Sequence, residues 1–244
     1  MPRFFIPPDQ IRGNRFVLNG PEAHHALNVL RKKIGDTIDL FDGKDLSYQG
    51  LIELISPDRI EGSLTVTLGG CRMSIHTTLY QALIKGPKWD WLLEKACEIG
   101  VGRIVPVVTA RSVVKVSASG AGEKMTRWRR IAVEASKQCG RSEIMEVAGP
   151  VIFATAVSHL PAGSLSLIPW EKETNKSIRQ ACQDIHGDAV AIFVGPEGGW
   201  EPQEVELAKR RGVIPVRLGP TLLRSETAGL VAATLVLSEL GIYS

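Results

Sequence analysis

Residues 189–240 read AVAIFVGPEGGWEPQEVELAKRRGVIPVRLGPTLLRSETAGLVAATLVLSEL, and this stretch decides the predicted fold. Its first six residues form a continuous apolar run that ends in a glycine turn, which is typical of a strand covered on both faces. Proline is tolerated at the first helical position, so Pro202 indicates where the next helix begins. The predicted elements are a strand at 189–194, a helix from Pro202 that stops at Gly212, a strand at 214–219 and a helix at 226–240.

Each of these two strands is followed by a turn, and the first turn is Gly195-Pro196-Glu197-Gly198-Gly199. If the strands are neighbouring and parallel, both turns lie at the same carboxyl edge of the sheet, where open α/β sheets bind ligands. The chain lacks the G-x-G-x-x-G fingerprint and the P-loop. An acid inside the turn disfavours phosphate and suits a ligand with a cationic group. The alternative is that these glycines serve the turn alone.

The last helix has two notable features. Ser225 stands where a serine hydroxyl often accepts from the first amides of a helix, and it is predicted to be the N-cap. The run AGLVAATLVL (residues 228–237) is apolar on nearly every side, so we expect this helix to be buried all round.

Composition indicates an ordinary globular protein. The formal net charge is +3, with 44% hydrophobic and 23% charged residues. The longest nearly apolar run, residues 228–237, is about half a membrane span, so we expect no transmembrane helix. The N-terminus MPRFFIPPDQ lacks the apolar core of a signal peptide, which predicts a cytoplasmic protein.

The four cysteines, Cys71, Cys97, Cys139 and Cys182, are far apart and include no C-x-x-C pair. This spacing argues against a disulfide framework and against a zinc site. We expect buried thiols and no bound metal.

Two domains are predicted, at residues 1–70 and 71–244, with the boundary near Leu68-Gly69-Gly70. The first reads as short strands with turn signals around one helix at 21–31, as in a small β-barrel. The second alternates strands and helices, which is the signature of a parallel α/β sheet. In it, the strand at 164–170 is expected to bring a third loop, Pro169-Trp170-Glu171, to the same sheet edge.

The segment from Arg111 to Arg141 has a local excess of positive charge, with two acids, Glu123 and Glu134. Such an excess is typical of a nucleic-acid contact, although a solvated helix face is the alternative. Its eight basic residues are Arg111, Lys115, Lys124, Arg127, Arg129, Arg130, Lys137 and Arg141.

Several motifs carry a family resemblance: HHALNVLR, QALIKGPKWDWLLEKACEIGVGRIVPVVTARS, IFVGPEGGW and RLGPTLLRSETAGLVA. Over nearly its whole length the chain resembles the bacterial 16S ribosomal RNA uridine N3-methyltransferases, a branch of the SPOUT superfamily. The resemblance implies a PUA-like RNA-binding first domain and a SPOUT second domain with a C-terminal trefoil knot. It also implies S-adenosylmethionine (SAM) as cofactor, a homodimer, and methylation of U1498 in 16S rRNA of the small ribosomal subunit.

Matching the loops of the family assigns the site residues. Uracil N3 is a poor nucleophile until it loses its proton, so a carboxylate could act as base and an arginine could stabilise the resulting anion. The predicted catalytic residues are Arg224, Glu226 and, as an alternative base, Glu197. The predicted cofactor contacts are Leu167, Pro169, Gly195, Gly198, Leu218, Gly219, Leu223 and Thr227. The predicted RNA contacts are Arg3, His24, Arg31, Arg127, Arg130 and Arg141.

Other interpretations stay open at this stage. A first-turn helix acid is favoured by the helix dipole, which could explain Glu226, and Arg224 could anchor a phosphate. Thr221 stands where the family often has an arginine, which favours a non-catalytic knotted RNA-binding or ribosome assembly factor. The α/β alternation alone would also suit an enzyme that acts on a small anionic metabolite.

Overall fold

The computed structural model describes residues 2–69, 73–112, 121–160, 163–183 and 187–243. Three residues named above, Gly70, Cys71 and Lys115, lie outside these ranges. The chain separates into two compact units, of which the first is Met1–Arg72 with Val133–Ile144 and the second is Met73–Ala132 with Met145–Ser244. The predicted division after residue 70 stays a prediction.

The first unit is built on one six-stranded sheet. Its first and fourth strands pair in parallel, and its other pairs are antiparallel. In spatial order the strands run β1-β4-β5-β6-β3-β2. The elements are β1 (Arg3–Phe5), β2 (Ile11–Arg12), β3 (Arg15–Asn19), α1 (Gly20–His24), β4 (Thr37–Phe41), β5 (Leu46–Ser56) and β6 (Arg59–Gly69).

The single helix predicted at 21–31 consists of two segments. The α-helix α1 ends at His24, and a π-helical turn follows over His25–Val29. Two adjacent histidines on a helix point about 100° apart, so one was expected to pack and the other to face solvent. His25 packs edge-on against Phe4, with ring centroids 5.7 Å apart, while His24 is exposed.

The second unit contains the remaining elements, apart from the end of its longest helix. Residues 133–139 of that helix belong to the first unit. The elements are β7 (His76–Ala82), α2 (Gly86–Glu98), β8 (Arg103–Val108), α3 (Ala121–Cys139), β9 (Glu146–Val147), β10 (Val151–Ile152), α4 (Phe153–Ser158), β11 (Leu165–Pro169), α5 (Ile178–Cys182), β12 (Ala189–Val194), α6 (Pro202–Arg210), β13 (Ile214–Val216) and α7 (Ser225–Glu239).

These strands form a parallel sheet in the order β10-β8-β7-β12-β11-β13, with β9 beside β8. β12 is central, and its Phe193 ring is fully buried and stacks on Tyr80 with centroids 4.4 Å apart. The edge of Phe153 packs on the same ring. The predicted α/β class, and the doubly covered strand at 189–194, are therefore confirmed.

The strands that carry the two predicted turns, β12 and β13, are not neighbours as expected, because β11 lies between them. β13 also ends at Val216, earlier than predicted, since the Arg217 amide donates to the carbonyl of Lys176 outside the sheet. Residues 217–224 are therefore free to form a loop. All three strands are parallel, so their carboxyl ends still share one edge.

One expectation for the last helix was wrong. Ser225 is the first helical residue and not the cap, because Arg224 holds the extended N-cap conformation. Within the single chain one face of the helix packs inward while Thr234 and Leu235 on the other side are exposed, so burial on all sides stays a prediction that requires a second copy. The inward face contains Gly229, Ala232, Ala233, Val236 and Leu237. The trefoil knot stays a prediction.

Within the described ranges no helix is long and apolar enough to cross a membrane. The same part of the chain contains no cluster of three or more histidine, cysteine, aspartate or glutamate side chains placed to hold a metal ion. Cys97 and Cys182 are buried as expected, and Cys139 is half-buried.

Candidate functional site

Three loops meet at the carboxyl edge of the parallel sheet, each following a different strand. They follow β11, β12 and β13, and they surround a cavity of about 680 Å³. The expected convergence of the turns around Gly195 and Gly219, with Pro169-Trp170-Glu171 as the third loop, is confirmed. The cavity is lined by Lys88, Pro169, Trp170, Glu171, Glu173, residues 194–200, residues 217–225 and Ala228.

The β12 loop packs closely against the end of β11. A methyl group on Gly195 would lie 3.1 Å from the Trp200 ring, so only glycine allows this approach without displacement. Trp200 is buried, and its Nε1 donates to the carbonyl oxygen of Pro169 over 3.2 Å. Gly199 has a φ of 68°, a conformation that glycine adopts without strain. The path of this loop therefore depends on glycine at positions 195 and 199.

Arg111 holds the same loop from the outside. Its Nη1 donates to the carbonyl of Gly198 over 2.7 Å, and its Nε pairs with Glu201 at 2.8 Å. Glu201 also caps α6 in a reciprocal capping box with Glu204. The tip of the loop is thereby tied to the start of the helix that follows it.

Ser225 connects the first turn of α7 to two strands. Its hydroxyl donates to the carbonyl oxygen of Gly195 over 2.5 Å and accepts from Nε2 of Gln81 over 2.9 Å. Gln81 is fully buried at the end of β7. Gly229, one turn further along α7, lies so close to Gln81 that a methyl group there would overlap Oε1. Two adjacent parallel strands and the helix are therefore held together beside the cavity.

Lys88 and Glu226 form an ion pair at the cavity, with Nζ 2.9 Å from Oε1. The side chain of Glu226 is 9% exposed, whereas that of Lys88 is 41% exposed. Burial acts to raise the pKa of Glu226, but the hydrogen bonds from Lys88 and from its own backbone amide, together with the positive charges of Lys88 and Arg224, outweigh it and lower the pKa below its usual value. Glu226 is therefore an anion near neutral pH.

The structure brings most of the predicted cofactor residues together. Leu167 is instead fully buried within β11, and Thr227 is half-buried in α7, and both lie outside the described lining of the cavity. The six that line it are Pro169, Gly195, Gly198, Leu218, Gly219 and Leu223.

Two of the predicted catalytic residues, Arg224 and Glu197, line the cavity and are exposed. The third, Glu226, lies behind the described lining and reaches the cavity through Lys88. Thr221 lines the cavity and is exposed.

Both acidic and basic side chains line the cavity. Glu173 accepts hydrogen bonds from the backbone amides of Asn175 and Lys176, which lower the pKa of its carboxyl group. The other charged lining residues are Glu171, Glu197, Lys88, Arg217 and Arg224. The lining therefore offers partners to both a cationic and an anionic group of a ligand.

Four of the predicted RNA contacts belong to the first unit. His24 and Arg31 are exposed, and Arg31 has a φ of 55°. The guanidinium of Arg3 is bound internally, to Ser47 Oγ at 2.7 Å and to the carbonyl of Arg141 at 3.2 Å. It also lies 5.0 Å from the centroid of the Phe41 ring. An RNA contact by Arg3 would require these bonds to be given up.

The other two predicted RNA contacts lie on α3 in the second unit. Arg127 and Arg130 are both exposed, and Arg127 pairs with Asp90. Lys124 and Arg129 are exposed on the same helix. The described part of the basic segment in this unit is therefore a solvent-facing cationic surface.

Sequence analysis missed Lys88, Gln81 and Ser225 as site residues. Gln81 had a visible signal, because a glutamine inside the apolar end of a strand must find a partner when it is buried. Lys88 follows the turn after that strand, at the edge where the loops meet. A search of the carboxyl ends of every predicted strand would have included both.

Comparison with known families gives two matches. Residues 71–237 match the family described as an RNA methyltransferase domain. Residues 18–65 match the family described as an RNA methyltransferase PUA domain.

Individual relatives are similar in sequence to this chain over nearly its full length. The chain is 29% identical to ribosomal RNA small subunit methyltransferase E of Bacillus subtilis, over 97% of this chain and 96% of that protein. It is 28% identical to the protein of the same name from Mycobacterium bovis, over 94% and 88%. The crystal structure of a ribosomal RNA small subunit methyltransferase E from Neisseria gonorrhoeae bound to S-adenosyl methionine superimposes with a TM-score of 0.86 at 30% identity, covering 98% and 97%.

Proposed function

The chain belongs to the RNA methyltransferase family, and we propose that it transfers a methyl group from SAM to N3 of a uridine in small-subunit ribosomal RNA. The observation that carries this proposal is the cavity formed by three loops at one sheet edge. A relative that superimposes over nearly the whole chain was crystallised with SAM. The proposed target nucleotide is U1498 of 16S rRNA, which rests on the family resemblance.

The residues at the cavity fit SAM. Its volume of about 680 Å³ lies in the range of small-molecule sites, roughly 300–1,000 Å³. Leu218 and Leu223 offer apolar surface, and the backbone around Gly195 and Gly219 can approach a ligand closely because no side chain intervenes. When bound, SAM supplies an activated methyl group on a positively charged sulfur, and the acidic side chains of the lining, Glu171, Glu173 and Glu197, can offset that charge.

We assign the cofactor contacts to the six predicted residues that line the cavity. Leu167 and Thr227 support these contacts from behind, in β11 and in the first turn of α7. The main contribution of these loops to the reaction is alignment of the two reactants in a fitted site, because a well-oriented pair reacts much faster than free molecules.

The acceptor requires more than alignment. N3 carries a proton at neutral pH, and the negative charge that forms on its loss spreads onto the neighbouring oxygens. Arg224 lines the cavity and can stabilise this charge. Glu197 is exposed at the cavity and is the better placed of the two predicted bases, since the pKa of Glu226 is lowered and its carboxylate is paired with Lys88.

Flanking RNA has to be held while the base is presented, because N3 lies on the pairing edge of uracil and must be unpaired to react. We propose that Arg127 and Arg130 of the second unit and His24 and Arg31 of the first contact RNA phosphates. These side chains are exposed. Since ribosomal RNA is the substrate, we also propose that the protein acts in the cytoplasm.

We further propose that the protein is a homodimer. The outward side of α7 exposes Leu235, at 38%, beside Thr234, and a second copy would cover both. The replacement Leu235→Glu should shift the mass measured by light scattering from dimer to monomer. Leu54→Glu, at an exposed leucine of β5, is the control and should leave the dimer intact. A wild-type protein that is monomeric at assay concentration would contradict the proposal.

The activity is tested with purified protein, SAM and either protein-free 16S rRNA or small ribosomal subunits. Mass spectrometry of the digested nucleosides should show 3-methyluridine in at least one of the two substrates. RNA cleaved around the modified position locates the nucleotide. A protein that binds RNA in a salt-sensitive way and forms no methylated nucleoside would instead be a non-catalytic assembly factor.

A further inference from the structure

Lys88 is the cation that connects the cavity to the buried acid Glu226. It lines the cavity, and its Nζ lies 2.9 Å from Glu226 Oε1. We propose that the Lys88 ammonium group binds an anionic oxygen of a ligand in the cavity, and that Glu226 is a positioning residue that holds Lys88 in place. This inference rests on the proposed methyltransferase function and adds a residue that family matching did not assign.

The ammonium group has donors to spare. It carries three N–H groups, and among the described residues Glu226 is the one acidic partner of Nζ. The buried carboxylate fixes one side of the ammonium group, while the 41% exposure of the Lys88 side chain leaves another side open. A cation fixed on one side and open on the other can bind an anionic oxygen without reorganisation, which is the arrangement that stabilises charge in enzyme sites.

Stability alone does not explain the pair. Oε2 of Glu226 is buried and has no hydrogen-bond partner in the described part of the chain. An unsatisfied buried carboxylate oxygen is costly, and an ion pair with one such atom is often no more stable than apolar residues of the same size. The pair therefore points to a role at the cavity.

The ion pair also argues against Glu226 as the base, because Lys88 Nζ lies 2.9 Å from its Oε1. A general base works best when its pKa is near the pH of the reaction. Burial acts to raise the pKa of Glu226, but the hydrogen bonds from Lys88 and from its own backbone amide, together with the positive charges of Lys88 and Arg224, prevail and lower it. Glu226 is better suited to hold a lysine than to accept a proton.

Two ligands of the proposed reaction offer an anionic oxygen. One is the carboxylate of the methionine part of SAM. The other is the uracil edge, whose oxygens share the negative charge once N3 has lost its proton, either to Glu197 as the proposed base or to solvent at alkaline pH. In that case the N3 lone pair forms the new nitrogen–carbon bond, and the electron pair of the broken sulfur–carbon bond stays on sulfur.

The test compares Lys88→Met, Lys88→Arg and Glu226→Gln with the control Lys95→Met. Lys95 lies on the same helix and pairs with the surface acids Glu94 and Glu98, away from the described lining of the cavity. Two quantities are measured for each protein: the Kd for SAM by calorimetry, and kcat at saturating SAM from neutral to alkaline pH. The other ionisable groups that line the cavity are Glu171, Glu173, Glu197, Arg217 and Arg224.

Each source of the anion has its own result. If Lys88 binds the SAM carboxylate, Lys88→Met should raise the Kd for SAM about tenfold or more, and saturating SAM should restore kcat. If Lys88 binds the uracil anion, the Kd should stay nearly constant and kcat should fall about 100-fold, as when an anion-stabilising donor is removed. That deficit should shrink as the pH rises, because solvent then removes the N3 proton more readily. Lys88→Arg should retain most of the activity. Whichever quantity changes in Lys88→Met, the Kd for SAM or kcat, should change in the same direction but by less in Glu226→Gln.

The proposal is overturned if Lys88→Met matches Lys95→Met in both quantities. It is also overturned if Glu226→Gln abolishes kcat at every pH while Lys88→Met retains it, since Glu226 would then be the base. A wild-type protein that binds SAM and methylates no RNA contradicts the proposed function, and the SAM affinity of the variants then decides the role of Lys88. Folding of each variant is checked by its urea unfolding transition.

Discussion

The hydroxyl of Ser225 donates to the carbonyl oxygen of Gly195 over 2.5 Å, which ties the first turn of α7 to the end of β12. The same hydroxyl accepts from the buried amide of Gln81. Replacing both partners of such a hydrogen bond by apolar groups can leave stability unchanged. Removing one partner leaves the remaining polar groups buried without a hydrogen bond, which is costly. Ser225 therefore anchors the start of the β12 loop, while Arg111 holds its tip.

Ser225→Ala should lower the free energy of unfolding by about 1–3 kcal/mol, because the buried Gln81 amide loses its 2.9 Å acceptor and keeps only the Ala82 carbonyl at 3.5 Å. It should also weaken SAM binding by about tenfold, since the loop around Gly195 loses its anchor. Urea unfolding and calorimetry measure the two effects. Ser238→Ala, at an exposed serine of the same helix, is the control, and equal behaviour of the two variants would contradict the prediction.

Gly229→Ala tests the close approach of α7 to β7. Alanine normally stabilises a helix relative to glycine, but here the methyl group would overlap Gln81 Oε1. Gln81 is fully buried and bonded to Ser225, so it cannot move aside freely. We expect a loss of about 1–3 kcal/mol, as in other overpacked interiors.

The matched control for this substitution is Gly122→Ala in α3. Among the described residues nothing lies within 4 Å of a methyl group added there. The same chemical change should therefore stabilise the protein by about 0.5–1 kcal/mol. Urea unfolding measures the free energy of unfolding of both variants. If both substitutions changed this free energy in the same direction, the packing argument would be contradicted.

Sequence patterns predicted the part of this site that depends on the backbone. β12 reads as an unbroken apolar run because both of its faces are covered, and the glycine turn after it can only be a loop. Parallel strands then placed the turns at one edge, although β11 between them was not foreseen. The order of strands depends on how the whole sheet assembles, and no local pattern encodes it.

Side-chain environment was harder to predict. Glu226 is the first-turn acid that the sequence offered as an alternative to a catalytic role, but its burial beside Lys88, from a distant part of the chain, was not predicted. Ser225 was predicted to be an N-cap, yet its hydroxyl bonds to Gly195 and Gln81. In both cases a partner that is remote in sequence determines the environment of the side chain.

Arg111→Met tests the clamp on the β12 loop. The variant loses the bond to the Gly198 carbonyl and the pair with Glu201, so the loop should become more mobile and the Kd for SAM should rise about three- to tenfold. Unfolding free energy should change little, by about 1 kcal/mol or less, because the pair is exposed. Arg103→Met, which removes a surface pair with Glu146, is the control and should leave SAM affinity unchanged.

Cys182 provides a prediction on pH. Burial, and then the charge of Glu239, raise the pKa of this thiol to about 11. The thiolate is the reactive form, so iodoacetamide near pH 8 should modify Cys182 in the folded protein about 100-fold more slowly than in the unfolded chain. Peptide mass spectrometry follows the two rates. Rapid modification of the folded protein would contradict the assigned environment.

The same shift has a consequence for stability. The pKa of Cys182 in the folded protein lies above its value in the unfolded chain. The contribution of the thiol to the free energy of unfolding is therefore fully present below about pH 8.5 and is lost as the pH rises through about 11. Wild type should therefore lose more unfolding free energy than Cys182→Ala between about pH 8 and pH 11. Both proteins share every other titrating group, so the difference between their curves isolates the thiol. Parallel curves would show that Cys182 titrates alike in the folded and unfolded states.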